Sequence, residues 1–277
     1  MSRVLAVLGA LAMIVVAVVV RGAIDDDGDA TDGRGRDPEG QVVCATELRE
    51  VCPPGASIED AATTADRLLT ADGVDAWLTF EPWPAIVDDA RVRAGLDPLF
   101  DEVEPLASSP LVAVGPSGTE ETWAEIAGGD LRVGTRDLTG GLGALHLGAL
   151  ATGLVGSTDF ATNDLTPAIR SRLDAIAEDA ETSSAPVRQL LQSRAFFDVA
   201  LSFSAEAEAA LAAADPSRSA GLTVLYPAPM AEMVAVAAGD AALAGDAGRS
   251  LLAAGWIEPG PSNLPSAGVL TALRGLL

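Results

Sequence analysis

The chain lacks lysine and has few of the side chains that enzymes use for covalent or acid–base chemistry. Its 277 residues include 17 arginines, no lysine, one histidine, one tyrosine and two cysteines. Schiff-base formation, attachment of pyridoxal and the lysine of a phosphate-binding P-loop are therefore excluded. A Gly-x-Ser-x-Gly elbow is also absent. The sequence predicts a protein that is not an enzyme and that needs no cofactor.

Positive charge is also scarce. Forty acidic residues face the 17 arginines, which gives a formal net charge of -23 at pH 7. Long-range repulsion opposes the approach of nucleic acid and of anionic lipid headgroups, so nucleic acid is not an expected partner. The hydrophobic fraction of 49% is nevertheless ample for a folded core.

One long apolar run stands at the start of the chain, from Val4 to Val20, with Arg3 before it and Arg21 after it. A helix over this run and the next three residues approaches the roughly 30 Å thickness of a hydrocarbon core. A cleaved signal peptide is the alternative, but Arg21 stands where its small-x-small cleavage site belongs. We expect residues 1–24 to be an uncleaved membrane anchor, with the following chain outside the cytoplasm as a single-pass protein of the cell membrane.

Residues 25–40 are rich in aspartate and glycine and have almost no apolar side chains. Such a segment cannot bury a core, so we expect a flexible acidic stalk. A calcium-binding loop starting at Asp25 would have Ala30 in place of its turn glycine and Arg36 in place of its bidentate glutamate. No metal site is predicted here.

The two cysteines, Cys44 and Cys52, are eight residues apart. In a domain outside the cytoplasm two cysteines most often pair. A straight helix would hold their α-carbons about 12 Å apart, beyond the limit of about 7 Å for a disulfide, so the chain must turn between them. We expect a strand ending at Cys44, a short helix ending at Cys52 and a disulfide; two free buried thiols are the alternative.

Apolar strand-like runs alternate with helical runs after the stalk, which is typical of an α/β fold with a mostly parallel sheet. Within this alternation, "LRVGTRDLTGGLGALHLGAL" predicts a strand, a glycine-rich turn and a helix. Nucleotide motifs do not fit, because a Walker loop needs a lysine and His146 replaces the third glycine of a dinucleotide fingerprint. What fits is a helix N-terminus where Thr139 caps and the amides of residues 140–142 bind an anion. Alternatively, the glycines only shape the turn and allow close packing.

The segments "LASSPLVAVGP", "LRVGTRDLTGGLGALHL", "FFDVALSF" and "LTVLYPAPMAEMVAVAAG" follow one another in an order that resembles the type II periplasmic solute-binding proteins of ABC transporters, especially the molybdate and sulfate branch. The resemblance extends from Gln41 to the end. It implies an α/β, two-lobed fold with two crossover strands. Lobe 1 would comprise residues 41–113 and 228–277, and lobe 2 residues 114–227.

Candidate ligand-binding residues come from the glycine-rich turn and from the ends of the strands, where open α/β sheets bind ligands. The serine pair at 108 and 109 and the tyrosine of "LYPAP" also resemble ligand-contacting residues of the family. The alternative is that these residues form turns, cap helices or pack locally. Local packing is the main alternative for Trp83, which lies between two prolines. The single histidine is expected to be a packed side chain. The candidates are Thr46, Thr79, Glu81, Trp83, Ser108, Ser109, Thr139, Gly140, Gly141, Leu142, Ser202 and Tyr226.

The resemblance implies an extracytoplasmic solute-binding protein that captures a small ligand between two lobes and serves a membrane transporter or a sensor. The apolar run adds a membrane anchor, which departs from the family, whose transport members are usually lipidated or free, and this departure puts the transport role in question. An oxyanion is one candidate ligand, because neutral amides and hydroxyls can hold an anion in a dry site. The large negative charge disfavours an anion and leaves open a cationic or neutral ligand with Glu81 as counterion. The alternative is a non-catalytic interaction or assembly module that keeps the fold without binding a ligand.

Overall fold

In the computed structural model, the described residues form a mixed sheet of nine strands. The strands are β1 (Val42–Ala45), β2 (Ser57–Glu59), β3 (Ala76–Phe80), β4 (Val103–Pro116), β5 (Val133–Thr135), β6 (Glu181–Thr182), β7 (Val199–Phe203), β8 (Leu222–Leu225) and β9 (Glu232–Gly239). Eight of them lie in the order β2-β1-β3-β9-β4-β7-β5-β6, and β8 pairs with β4. Strands β1, β2 and β3 are parallel, as are β5, β6 and β7, whereas β4 and β9 run antiparallel to their neighbours.

Helices pack against the β1–β3 side and the β5–β7 side of the sheet. Two short 3-10 helices, Thr46–Val51 and Thr162–Asp164, accompany the α-helices. The α-helices are α1 (Ala61–Leu68), α2 (Trp83–Arg93), α3 (Trp123–Gly128), α4 (Gly141–Val155), α5 (Pro167–Asp179), α6 (Pro186–Gln192), α7 (Ser204–Ala213), α8 (Pro216–Ser219), α9 (Ala244–Ala253) and α10 (Ala267–Arg274).

The structure describes residues 41–70, 74–117, 122–129, 131–239 and 244–277. The predicted membrane anchor, residues 1–24, and the predicted acidic stalk, residues 25–40, lie outside this part of the chain. Within it, no helix has the length and apolar character needed to cross a bilayer. The described residues belong to one compact unit, and the division into lobes at the predicted residues stays a prediction.

Strand β4 joins the two parts of the sheet. Its first half pairs with β9 as far as Pro110 opposite Glu232, and its second half pairs with β7 on one side and β8 on the other. Strands β8 and β9 bring the chain back along β4. The chain therefore runs twice between the β1–β3 side and the β5–β7 side, where the sequence predicts two crossings.

Helix α4 lies at the centre of the molecule. All of its residues from Gly141 to Thr152 are buried, as expected for a helix that is apolar on every side. It packs against α3, α5 and α10. A β-carbon at Gly148 would lie 2.7 Å from Leu270 of α10, so glycine permits this close packing.

The cysteine prediction is confirmed. Cys44 is the last residue but one of β1, Cys52 follows the 3-10 helix, and the two form a disulfide with their α-carbons 6.3 Å apart. The alternation of strands and helices is also confirmed over most of the described chain. Helix α5 was not predicted, because the polar face of "PAIRSRLDAIAED" leaves only Leu173 and Ile176 fully buried and gives a weak helical pattern.

Candidate functional site

A pocket of about 270 Å³ lies at the N-terminus of α4. Its walls comprise Thr46 and Glu47 of the first 3-10 helix, Asp60, residues 136, 137 and 140–143, and the segment 182–184. We call it the central pocket. Two larger pockets, of about 490 and 410 Å³, border α5. The central pocket is the better candidate because it combines the N-terminus of α4 with the buried carboxylate of Glu47.

The N-terminus of α4 is occupied by a carboxylate from the protein itself. The amide of Gly141 donates to both oxygens of Asp60, at 2.9 and 3.1 Å. Asp60 is also the N-cap of α1, where it accepts hydrogen bonds from the amides of Ala62 and Thr63. The carboxylate thus faces the positive dipole ends of two helices, an arrangement that stabilises its charge.

This arrangement requires glycine at position 141. A β-carbon there would lie 2.8 Å from the β-carbon of Ala61 and 3.2 Å from Asp60. The amide of Gly140 donates to the carbonyl of Asp137 at 3.0 Å, and the side chain of Leu142 is buried in the core. In this conformation the amides of Gly140 and Gly141 therefore have internal partners.

Thr139 does not cap α4, which corrects the role expected for it. The N-cap residue is Gly140, without a side-chain capping bond. The Thr139 hydroxyl donates to Asp137 at 2.7 Å and lies on the exposed side of the turn. The carboxylate of Asp60 supplies the side-chain acceptor instead. A carboxylate is the stronger partner because its hydrogen bond to an amide is charge-assisted.

Arg136 joins two acidic residues at the central pocket. Its guanidinium lies 2.8 Å from Glu206 and 3.5 Å from Glu47, and the side chain is 19% exposed. Because both carboxylates share this cation, its positive charge is already balanced within the protein. The central pocket is therefore acidic on balance, since Asp60 and Asp137 also line it.

Glu47 is the most enclosed charged group of the central pocket, with a side chain only 2% exposed. Burial raises the pKa of this carboxyl above its ordinary value; Arg136 acts in the opposite direction, and nearby Asp60 and Glu206 raise the pKa further. One carboxylate oxygen faces Arg136. The other, Oε2, is buried and has no hydrogen-bond partner among the described residues.

The predicted serine pair has internal partners at the crossing strand β4. Ser108 Oγ accepts a hydrogen bond from the amide of Gly260 at 3.0 Å. Ser109 Oγ lies 3.2 Å from Ser204 Oγ and accepts from the amide of Ala205. Both serines are fully buried. They connect β4 to the segment that follows α9 and to the start of α7, and they do not line the central pocket.

Ser202 connects Glu206 to the buried His146. The Ser202 hydroxyl donates to Glu206 at 2.8 Å, and its carbonyl oxygen is 3.1 Å from Nε2 of His146. His146 is fully buried, which lowers its pKa to about 4. The expectation that His146 is a packed side chain is confirmed.

Thr79 and Trp83 are both buried side chains. Thr79 lies in β3 among core residues. Trp83 begins α2. The guanidinium of Arg274 lies over its ring, 4.9 Å from the ring centre, in a cation–π contact. Trp83 therefore has the local packing role that the sequence left open.

Glu81 and Tyr226 also lie outside the central pocket. Glu81 is half-buried, and burial raises its pKa. Tyr226 is 50% exposed and donates to Glu208 at 2.7 Å. Partial burial, together with Glu208, raises the pKa of Tyr226 to about 12.

Four of the predicted residues come together in the central pocket: Thr46, Gly140, Gly141 and Leu142. Sequence reasoning missed its charged members. Asp60 carries a readable signal, since an aspartate directly before a helix is a typical N-cap, but nothing local indicates its reach to Gly141. The missed lining residues are Glu47, Asp60, Arg136, Asp137, Gly143, Thr182, Ser183 and Ser184.

Comparison with known proteins gives no matching family model and no curated protein of similar sequence. Solved structures do match. A periplasmic thiamin binding protein has a TM-score of 0.55 at 13% identity, covering 90% of this chain and 96% of its own. Apo FutA2 from Synechocystis PCC6803 has a TM-score of 0.50 at 14% identity, with coverage of 86% and 97%. Apo ferric ion-binding protein A from Pasteurella haemolytica has 0.50 at 11%, with coverage of 86% and 96%. The described part of this chain therefore has a mixed α/β fold that matches the fold of two-lobed periplasmic binding proteins.

Proposed function

We propose that this protein is a membrane-anchored, extracytoplasmic solute-binding protein that captures a small polar ligand in the central pocket. The observation that carries the proposal is the composition of that pocket, which takes Thr46, Glu47 and Asp60 from one predicted lobe and the α4 turn with residues 182–184 from the other. Ligands of two-lobed α/β proteins bind in such a position. The captured ligand would pass to a membrane transporter or report to a sensor.

Two features support the cellular location. The apolar run at residues 4–20 has the length and the flanking arginines of a membrane anchor. The disulfide between Cys44 and Cys52 fits an oxidising compartment outside the cytoplasm. We place the folded part of the chain on the outer face of the cell membrane, held by residues 1–24.

The ligand could be an oxyanion only if it displaced a carboxylate. An anion at the Gly141 amide would have to replace Asp60, which accepts from that amide. An anion at Arg136 would compete with Glu47 and Glu206. The helix N-terminus supports this form of the proposal, and the two carboxylate partners of Arg136 weigh against it.

A ligand screen tests the proposal. The full chain in a non-ionic detergent would be melted with oxyanions, amines, amino acids and sugars, each at the highest soluble concentration. A ligand present at about 100 times its dissociation constant should stabilise the protein by roughly 2.7 kcal/mol. The matched variants are Ser184→Phe, which places an aromatic ring in the central pocket, and Ser250→Phe on the exposed face of α9. We expect Ser184→Phe to abolish the ligand-induced rise in melting temperature and Ser250→Phe to keep it.

A second candidate is an interaction or assembly module without a ligand. The observation that favours it is the internal pairing of the central pocket, in which Asp60 occupies the α4 amide and Arg136 is shared by two glutamates. A screen in which no compound class raises the melting temperature would favour this module over solute capture. An equal shift in Ser184→Phe and wild type would move the ligand site elsewhere.

A further inference from the structure

The charges of the central pocket indicate which class of solute it accepts. Its lining includes Glu47, Asp60 and Asp137 and a single cation, Arg136. Arg136 has a second acidic partner in Glu206, 2.8 Å away. An incoming anion would therefore meet an excess of carboxylates, whereas a cation would be attracted before any contact formed.

The acceptors of the central pocket differ in how completely they are used. Both oxygens of Asp60 accept from backbone amides. In Glu47, by contrast, Oε1 lies 3.5 Å from the guanidinium of Arg136. Its Oε2 has no hydrogen-bond partner within the described part of the chain. A buried carboxylate oxygen without a donor is unfavourable, and a donor brought by a ligand would relieve that cost.

Hydroxyl groups complete the lining. Thr46 adjoins Glu47 in the 3-10 helix, and Thr182 at the end of β6 and the following Ser183 and Ser184 line the same pocket. Hydroxyls accept as well as donate hydrogen bonds, so they can take the remaining protons of an ammonium group. The volume of about 270 Å³ corresponds to about nine water molecules at roughly 30 Å³ each, enough for a short organic amine.

We propose that the central pocket selects a small organic cation, with a primary ammonium or guanidinium group bound by Glu47, and rejects oxyanions. The inference rests on the proposed function of solute capture and specifies its ligand class. Glu47 is the specificity-determining residue, because its Oε2 is a buried acceptor to which no described group donates a hydrogen bond. Asp60 keeps its structural position between α1 and α4.

Proton release should accompany binding. The pKa of Glu47 is raised in the empty protein, where the charged groups facing it are Arg136, Asp60 and Glu206. A bound cation favours the ionised carboxylate and expels the proton, so amine affinity should rise with pH through this raised pKa. Binding of an oxyanion would show the opposite trend, because it favours the protonated carboxyl.

Calorimetric titration of the full chain in detergent tests the inference. The cationic probes are 1,4-diaminobutane, agmatine and ethanolamine; 1,4-butanediol is the uncharged match for the diamine, and sulfate and molybdate represent the oxyanions. We expect an amine to bind and the diol and anions not to bind. Glu47→Gln should lower the affinity for the amine at least tenfold. Glu50 is exposed on the same 3-10 helix, so Glu50→Gln should bind the amine like wild type.

A folding control keeps the test decisive. Circular dichroism would confirm that Glu47→Gln is folded, and wild-type titrations in buffers of different ionisation enthalpy, from about pH 5 to about pH 7, would measure proton release without any variant. Amine binding undiminished in folded Glu47→Gln, or proton uptake instead of release, would overturn the inference. Binding of oxyanions or sugars alone would overturn it while leaving solute capture intact. If no probe class bound and no compound of the wider screen raised the melting temperature, the proposed function of solute capture would itself be contradicted.

Discussion

The two acidic walls of the central pocket differ in the completeness of their hydrogen bonding. On the α1 side, Asp60 accepts from the amides of Ala62, Thr63 and Gly141, all between 2.9 and 3.3 Å. On the 3-10 helix side, Glu47 has one ionic contact at 3.5 Å and a buried oxygen without a partner in the described chain. The two carboxylates of one pocket therefore differ in energetic role: the hydrogen bonds of Asp60 stabilise the fold, whereas the buried oxygen of Glu47 carries an unmet desolvation cost.

Arg136 connects these walls, and its loss should have the largest effect. Arg136→Ala leaves Glu47, and in part Glu206, without their shared cation. Removing one partner of a buried ion pair costs about 3–5 kcal/mol; because Arg136 and Glu206 are partly exposed, we expect about 3 kcal/mol. Urea denaturation would measure the free energy of unfolding.

The control for this prediction is Arg132→Ala. Arg132 pairs with Asp198 at 2.8 Å, but both side chains are exposed, so solvent screens the attraction and the loss should be small. Equal losses for the two arginine variants would show that Arg136 is no more than a surface ion pair.

Asp60→Ala should produce the next largest loss. It removes the N-cap of α1, worth about 1 kcal/mol, and a charge-assisted bond to the Gly141 amide, worth about 1.5 kcal/mol or more. We expect a total of about 2.5 kcal/mol from these two terms by chemical denaturation. Asp215→Ala is the matched control, because Asp215 caps the exposed four-residue helix α8 without a second helix to join. A loss in Asp60→Ala no greater than in Asp215→Ala would contradict the idea that Asp60 joins α1 to α4.

Glu47→Gln should have the smallest effect and the opposite sign. The folded pKa is raised above the ordinary 4.5, so below that value Glu47 is protonated in both states and contributes no pH dependence. As pH rises, the unfolded chain ionises first, and wild type loses stability relative to the variant until pH exceeds the raised pKa. We therefore expect Glu47→Gln to be the more stable protein at neutral pH and to lose this advantage near pH 4.5.

Melting curves of wild type, Glu47→Gln and Glu50→Gln across this pH range would check the sign. Glu50 lies on the same 3-10 helix but is exposed, and its variant should follow wild type. Parallel curves for wild type and Glu47→Gln would show that the buried carboxyl does not oppose folding.

Much of the fold could be predicted because its signals are local. The turn between Cys44 and Cys52 follows from the cysteine spacing and the reach of a disulfide. The crossing role of β4 was expected from the resemblance of "LASSPLVAVGP" to solute-binding proteins. Helix α5 escaped prediction because most of its residues face solvent. The glycine-rich turn was correctly placed before a helix, but the partner of its amide was not predicted.

The sequence alone determined the acidic charge, the absence of lysine chemistry and the α/β alternation, because composition and short-range patterns constrain these properties. It favoured the cysteine pairing, which the structure confirmed. Only the tertiary structure decided how the polar groups pair. Asp60 meets an amide 81 residues away, and Arg136 meets carboxylates from two other segments. Such pairings depend on which helix ends and side chains the folded sheet brings within hydrogen-bond distance, and no periodic pattern in the chain encodes that proximity.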